Sequence, residues 1–181
     1  MPKLFLPDNT VLINFAIVRR MDLLAELLKG QGAWCVSIAR ECGKSQAYHP
    51  DLDKAGAIFG PPLIPDASER IDATILREAM ASPGEPSTQH LGEAETIAII
   101  SARRLDCLFL TDDGGAAALA RRHDITAVST WDLLRLAHRT NMVTRPVLTG
   151  YLRTLKDADR GQPRNIISLD NLTPWLPDPE Y

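Results

Sequence analysis

The chain is expected to fold as an α/β protein, with a parallel sheet covered by helices on both faces. Short apolar runs, KLFL, AWCVS, CLFLT and ITAVS, alternate along the sequence with longer helical patterns. Strands separated by helices pair in parallel, and such sheets are buried on both sides. The length of 181 residues, 45% of them hydrophobic, suffices for one full core and is too short for two large domains.

Each element has its own signal. KLFL at residues 3–6 reads as the first strand, closed by Pro7. Asn9 or Thr10 can cap a helix through VLINFAIVRR, which is apolar on most sides and so buried. MDLLAELLKG is an amphipathic helix ending at Gly30, the residue type that best adopts a left-handed C-cap. AWCVS is the second expected strand, and Ser37 begins a helix through IARECGKSQA. Residues 49–65 are loop-like with room for a short strand. DASERIDATILREAMA is a helix capped by Asp66 or Ser68, and SPGEPSTQH is a breaker-rich connection. GEAETIAIISARRL is a helix, CLFLT a strand, GGAAALARRH a helix and ITAVS a strand. WDLLRLAHRT is a helix behind Ser129 and Asp132 at capping-box spacing. Beyond residue 140, Tyr151, Leu152 and Leu155 predict a further helix on the core or a partner, and Thr173-Pro174 a final turn. Trp175 and the proline-flanked acidic end read as a docking tail. The expected organisation is a domain over residues 1–140 and a helical extension with a tail over 141–181.

Composition narrows the function. No run approaches the roughly 18 apolar residues of a membrane span, and MPKLFLPDNT lacks a signal peptide's apolar core. A cytoplasmic location with no membrane contact is therefore expected. Cys35, Cys42 and Cys107 lack CxxC spacing, so buried free thiols are expected rather than disulfides or a thiolate zinc site. The net charge of −3 argues against wholesale coating of nucleic acid. Yet residues 101–164 hold 11 basic and 7 acidic side chains, against 9 and 13 in residues 1–100. Arg103, Arg104, Arg121 and Arg122 are candidates for phosphate contacts, with His123, Arg135, His138, Arg139, Arg145, Arg153, Arg160 and Arg164 in the same basic segment.

The acids carry the chemistry. Ligands of open parallel sheets sit beyond the carboxyl ends of the strands. Asp8 follows the first strand, Glu41 lies one turn into the helix after the second, Glu93 and Glu95 open a later helix, and Asp112 and Asp113 follow CLFLT. At about 100° per residue, Glu95 lies on the stripe of Ala98, Ile99 and Ala102, while Glu93 falls at the border of the polar face. Glu95 is thus expected to point inward, where an ionised group needs a partner. Two carboxylates about 4 Å apart repel by roughly 4 kcal/mol at an effective dielectric near 20. Four together would approach the net stability of a domain, about 5–15 kcal/mol. A cation is implied, and oxygen-only ligands suit Mg²⁺ first and Mn²⁺ next. Such a cluster activates water for displacement at phosphorus.

The segments LPDNTVLINF, VSIAREC, LGEAETIAI and LFLTDDGGAAALARRHDI, in this order, resemble the PIN-domain nucleases, in particular the prokaryotic group with VapC-type toxins. The resemblance covers about residues 3–140. It implies a three-layer α/β/α sandwich with a central parallel sheet, Mg²⁺ or Mn²⁺ at the acid cluster, and cleavage of single-stranded or structured RNA. By it, Asp8, Glu41, Glu95 and Asp113 are the catalytic and metal-binding acids, with Asp112 a further ligand. Thr10, Thr111 and Glu93 are supporting residues, Thr111 matching a threonine that often precedes the family's last acid. The resemblance further implies a toxin of a type II toxin–antitoxin pair, an antitoxin partner and a homodimer. The alternative is a non-catalytic PIN-like module that binds RNA or protein. A response-regulator receiver would carry its acid pair after the first strand, and a dinucleotide enzyme a GxGxxG there; LPDNTV is neither.

Overall fold

A computed structural model of the chain describes residues 3–164, 166, 168, 169 and 171–176. Strands β1 (Leu4–Pro7), β2 (Cys107–Leu110) and β3 (Thr126–Val128) form a parallel sheet in the order β1-β2-β3. Leu4 pairs with Cys107 and Pro7 with Leu110, while Leu108 pairs with Thr126 and Leu110 with Val128. This register aligns the carboxyl ends. The Asp8 amide donates to the Leu110 carbonyl and the Thr111 amide to the Val128 carbonyl, so the residues leaving β1 and β2 emerge side by side.

The helices are α1 (Asn9–Ile17), α2 (Met21–Leu28), α3 (Val36–Ser45), α4 (Ala55–Phe59), α5 (Ala67–Met80), α6 (Leu91–Arg103), α7 (Gly114–Arg122), α8 (Thr130–Arg139) and α9 (Arg145–Asp157), with a 3-10 turn at Pro50–Lys54. Side chains alternate across a strand, and each face of the sheet meets its own apolar cluster. Phe5, Leu108, Leu110 and Val128 pack with residues of α1, α2, α3, α8 and α9. Leu6, Cys107 and Phe109 pack with Ile97 and Ile100 of α6 and with Ala116, Leu119 and Ala120 of α7.

Local signals set the helix ends. Asp66 accepts from the Glu69 amide while Glu69 reaches back to the Asp66 amide, and Ser129 and Asp132 do the same for α8. At the end of α2, Lys29 (φ 49) and Gly30 (φ 74) both take the left-handed conformation; the glycine there carries no Cβ penalty.

AWCVS is not a strand. Gly32 bridges Phe5 and Cys35 bridges Leu63 as isolated pairs, and α3 already begins at Val36. The run is apolar because it is buried: Cys35 is fully enclosed and Trp34 stacks on Phe59 with ring centroids 5.5 Å apart. Burial without alternation does not distinguish a strand from a buried connection.

The segment after residue 140 belongs to the same core. Leu148, Leu152 and Leu155 of α9 are fully buried with residues of α1 and α8. Trp175, expected in a docking tail, is buried in that cluster too, since a large ring gains more from packing on the core than from staying in water. The acidic end after residue 176 lies outside the described residues. Cys35, Cys42 and Cys107 are free and buried. No described helix is long and apolar enough to cross a membrane.

Candidate active site

Asp8 leaves β1 at the N-cap position of α1 with an extended backbone, yet its carboxylate makes no capping bond. Instead the hydroxyls of Thr10 and Thr111 both donate to Oδ2, Thr111 at 3.3 Å. The residue is 2% exposed. Burial pushes its carboxyl above the ordinary range, opposed by the Thr10 and Thr111 hydroxyls.

Glu41 and Glu93 face Asp8 from α3 and α6. These helices approach closely at Gly92, where a Cβ would meet Ile38 and lie 2.9 Å from Glu41 Oε1. Asp8, Glu41 and Glu93 line one cavity of about 290 Å³, together with Thr10, Arg40, Lys44 and His90. Burial, then the Asp8 charge, pushes Glu41 up to about 7 against the opposing Lys44. Burial, then Asp8, Glu41 and Asp113, pushes Glu93 up to about 8. Each acid makes the next harder to ionise.

Glu95 turns elsewhere. It is buried, as its helical phase predicts, but its Oε1 accepts from the Ser37 amide at 3.0 Å and its Oε2 from the Ser37 hydroxyl at 2.9 Å. It thereby satisfies the first turn of α3 and complements the positive end of that helix.

The aspartate pair divides its roles. Asp112 accepts from the Thr130 amide at 2.8 Å, from the Thr130 hydroxyl and from the Asn14 amide at 2.8 Å, tying β2 to α8 and α1. Burial raises its carboxyl, and the Thr130 hydroxyl opposes this first. Asp113 caps α7 through Oδ1, which accepts from the Ala116 amide at 2.6 Å. Its own amide donates to the Thr111 hydroxyl at 3.1 Å, so Thr111 links the two aspartates 8 and 113. Oδ2 of Asp113 has no hydrogen bond among the described residues, and its charge bears on Glu93.

No family model, curated protein or solved structure matches the chain.

The geometry stands alone, and it sorts the sequence candidates. It brings Asp8, Glu41 and Glu93 to one cavity with Thr10 on its wall, sets Asp113 and Thr111 beside them, and engages Glu95 and Asp112 in hydrogen bonds. Among the described residues, no three His, Cys, Asp or Glu side chains stand arranged around a metal position. Of the candidate phosphate contacts, Arg103 donates to Glu69 Oε1 at 2.7 Å and Oε2 at 2.8 Å and to the Ile64 carbonyl. It sits ten residues along α6 from Glu93, roughly 15 Å at the helical rise. Arg104 and Arg122 are exposed, and Arg121 lines a second cavity next to Asp113.

Sequence reasoning underrated Glu93 and missed Arg40, Lys44 and His90. Helical phase separates an inner from an outer face, but α6 is buried at every position from Ala94 to Ile100. Inward then covers two directions, and Glu93 takes the one that leads to Asp8. The glycine before it was the available signal, since a residue without Cβ marks where another element comes close.

Proposed function

We propose that the chain is a PIN-type metal-dependent endoribonuclease, a three-layer α/β/α sandwich in which Asp8, Glu41, Glu93 and Asp113 hold Mg²⁺ or Mn²⁺. One observation carries this reading: carboxylates from the end of β1, from α3 and from α6 share a cavity in which burial, and then the Asp8 charge, raises the proton affinity of Glu41 and Glu93. Strongly perturbed acids gathered in a cleft mark functional sites, and the donor set is the hard, all-oxygen kind that divalent cations take. The ion would neutralise the cluster and lower the pKa of a water for in-line attack at phosphorus.

The chain's own residues supply the rest. Thr10 and Thr111 fix the Asp8 carboxylate through Oδ2 at the wall of the cavity. Ser37 holds Glu95 against α3, which fixes the α3–α6 contact and with it the spacing of Glu41 and Glu93. Asp112 holds the loop after β2 so that Asp113 stays at the rim. Lys44 and Arg40 line the same cavity and supply positive charge for a phosphodiester backbone.

Cleavage of a mixed single-stranded RNA with Mn²⁺ is the test. Activity should vanish in EDTA and fall at least about a hundredfold in Asp8→Asn. Cleavage that is indifferent to both overturns the reading. The second reading, a non-catalytic PIN-like module, is favoured by the full engagement of Glu95 and Asp112; it predicts no cleavage at any Mn²⁺ concentration. The toxin role, with an antitoxin partner and a homodimer, rests on the family resemblance, and a cytoplasmic location on the lack of a membrane-span or signal-peptide pattern in the sequence. Growth arrest on expression of the intact chain, absent with Asp8→Asn, tests it.

A further inference from the structure

A second cavity, of about 550 Å³, lies beside the acid cluster. Thr111 and Asp113 form the shared wall: the Thr111 hydroxyl reaches Asp8 on one side, and both residues line the larger cavity on the other. The opposite wall is the segment after α9, from Arg160 to Arg164, with Trp175 behind it. Arg121, Arg135, Arg160 and Arg164 bring four guanidinium groups to this groove. Arg135 is paired with Asp132 at 3.0 Å, and Arg160 donates to Asn14 Oδ1 at 2.7 Å and to the Thr10 carbonyl. The side chains of Arg121 and Arg164 have no hydrogen bond or ion pair among the described residues. The four arginines outnumber the three acids on the lining, of which Asp112 accepts from Thr130 and Asn14, Asp132 from Ser129 and Arg135, and Asp113 caps α7 through Oδ1. Trp131, half-buried, lines the same groove, with Gly161 against its ring: a Cβ there would stand 4.0 Å from Trp131 Cζ2.

We infer that this groove binds an unpaired nucleotide flanking the cleaved bond, with backbone phosphates on Arg121 and Arg164 and a base stacked on Trp131. Of the single-stranded or structured RNA that the resemblance implies, this groove selects the single strand. The choice of occupant rests on the nuclease reading, since the groove opens where a strand crossing Asp8 and Asp113 would continue. Its volume falls within the roughly 300–1,000 Å³ of ligand sites. Free cations beside an aromatic face are how single strands are held without sequence readout, because every base has a face to stack and only an unpaired base can offer it. A duplex keeps its bases stacked on each other and presents no such face.

The test uses the full chain carrying Asp8→Asn, in EDTA, with a fluorescein-labelled twelve-nucleotide single-stranded RNA, the DNA of the same sequence, and the blunt RNA duplex. Anisotropy is followed between 50 and 200 mM salt. Single strands should bind at least tenfold tighter than the duplex, and the RNA and DNA arms report whether the sugar is read. Arg121→Ala with Arg164→Ala should weaken single-strand binding at least tenfold and flatten the log–log salt slope by about 1.4, two contacts at roughly 0.7 each. Trp131→Ala should cost a further fivefold or more, restored by Trp131→Tyr, which keeps a stacking face. The arginines are exposed, so their variants keep the fold. Unchanged binding in the double arginine variant, equal affinity for the duplex, or equal displacement by poly-glutamate overturns the inference. A protein that cuts RNA with an unaffected double arginine variant loses the groove and keeps the nuclease. A protein that binds through these arginines but never cuts with Mn²⁺ keeps the groove and loses the nuclease.

Discussion

Two carboxylates of α6, Glu93 and Glu95, stand two residues apart and meet opposite surroundings. Glu95 is matched by two donors from Ser37, whereas Glu93 looks across a cavity at Asp8 and Glu41 and is pushed up to about 8. The contrast repeats after β2, where Asp112 accepts from Thr130 and Asn14 while Asp113 Oδ2 has no hydrogen bond among the described residues and its charge bears on Glu93. A buried acid with its donors in place is structure; a buried acid facing other acids carries a charge that its neighbours oppose. Position on one sheet edge does not tell the two apart, and hydrogen-bond partners do.

The largest expected effect breaks this contrast from both sides. Asp8→Asn should lower Mn²⁺-dependent cleavage by at least about a hundredfold, while the thermal midpoint without metal at pH 8 holds or rises, because a source of repulsion has gone. Asp112→Ala should do the reverse in stability. It leaves the Thr130 amide without its acceptor and the Asn14 side-chain amide with the Thr130 hydroxyl alone, at about 2–3 kcal/mol, or on the order of 10 °C in Tm for a chain of this size. Calorimetric melts of both variants check the pair. An Asp112→Ala protein as stable as wild type would remove the structural half of the contrast.

How much of this was legible in the sequence follows from the range of each interaction. The caps at Asp66 and Ser129 close within three residues, and spacing alone reads them. The strands β1, β2 and β3 are short apolar runs bounded by breakers or capping residues, and these were readable too. AWCVS had the same composition but is a buried connection, because what decides a strand is a partner, here found only at isolated bridges. Site positions at strand ends were readable from the order of elements. Which acids are free was not, since the partners are remote: Ser37 lies 58 residues from Glu95, and Asn14 lies 98 from Asp112. The aromatic wall of the second cavity was equally hidden, because Trp131 and Gly161 meet only once α9 has packed on α8.

Gly92→Ala sharpens the comparison at the α3–α6 contact. The added methyl would meet Ile38 and Glu41, and overpacking of this kind costs about 1–3 kcal/mol. Because Glu41 is displaced, Mn²⁺ affinity measured by calorimetry should fall by roughly tenfold. Gly43→Ala, where nothing lies within 4 Å of the added carbon, is the control on the neighbouring helix and should leave both unchanged. Equal effects at both positions would remove the role assigned to the close approach.

The smallest effects are in pH, and the two ends of α6 should give opposite signs. Glu41 and Glu93 have folded pKa values near 7 and 8, above the unfolded value of 4.5, so the folded state binds more protons. Stability then falls as pH rises from about 5 through 8, by on the order of 2 kcal/mol once partial exposure is discounted, and Mn²⁺ should reverse most of the loss at pH 8. At the far end, Arg103 holds the Glu69 carboxyl below its usual range through two hydrogen bonds. That contribution is present above pH 4.5 and lost as pH falls through the folded value, so Glu69→Gln should flatten the acid limb of the melting curve by about 1 kcal/mol and leave the limb between pH 5 and 8 alone. Glu93→Gln should do the converse. If both variants flatten the same limb, the distinction between Glu69 of α5, paired with the Arg103 end of α6, and Glu93, set against other carboxylates at the opposite end, fails.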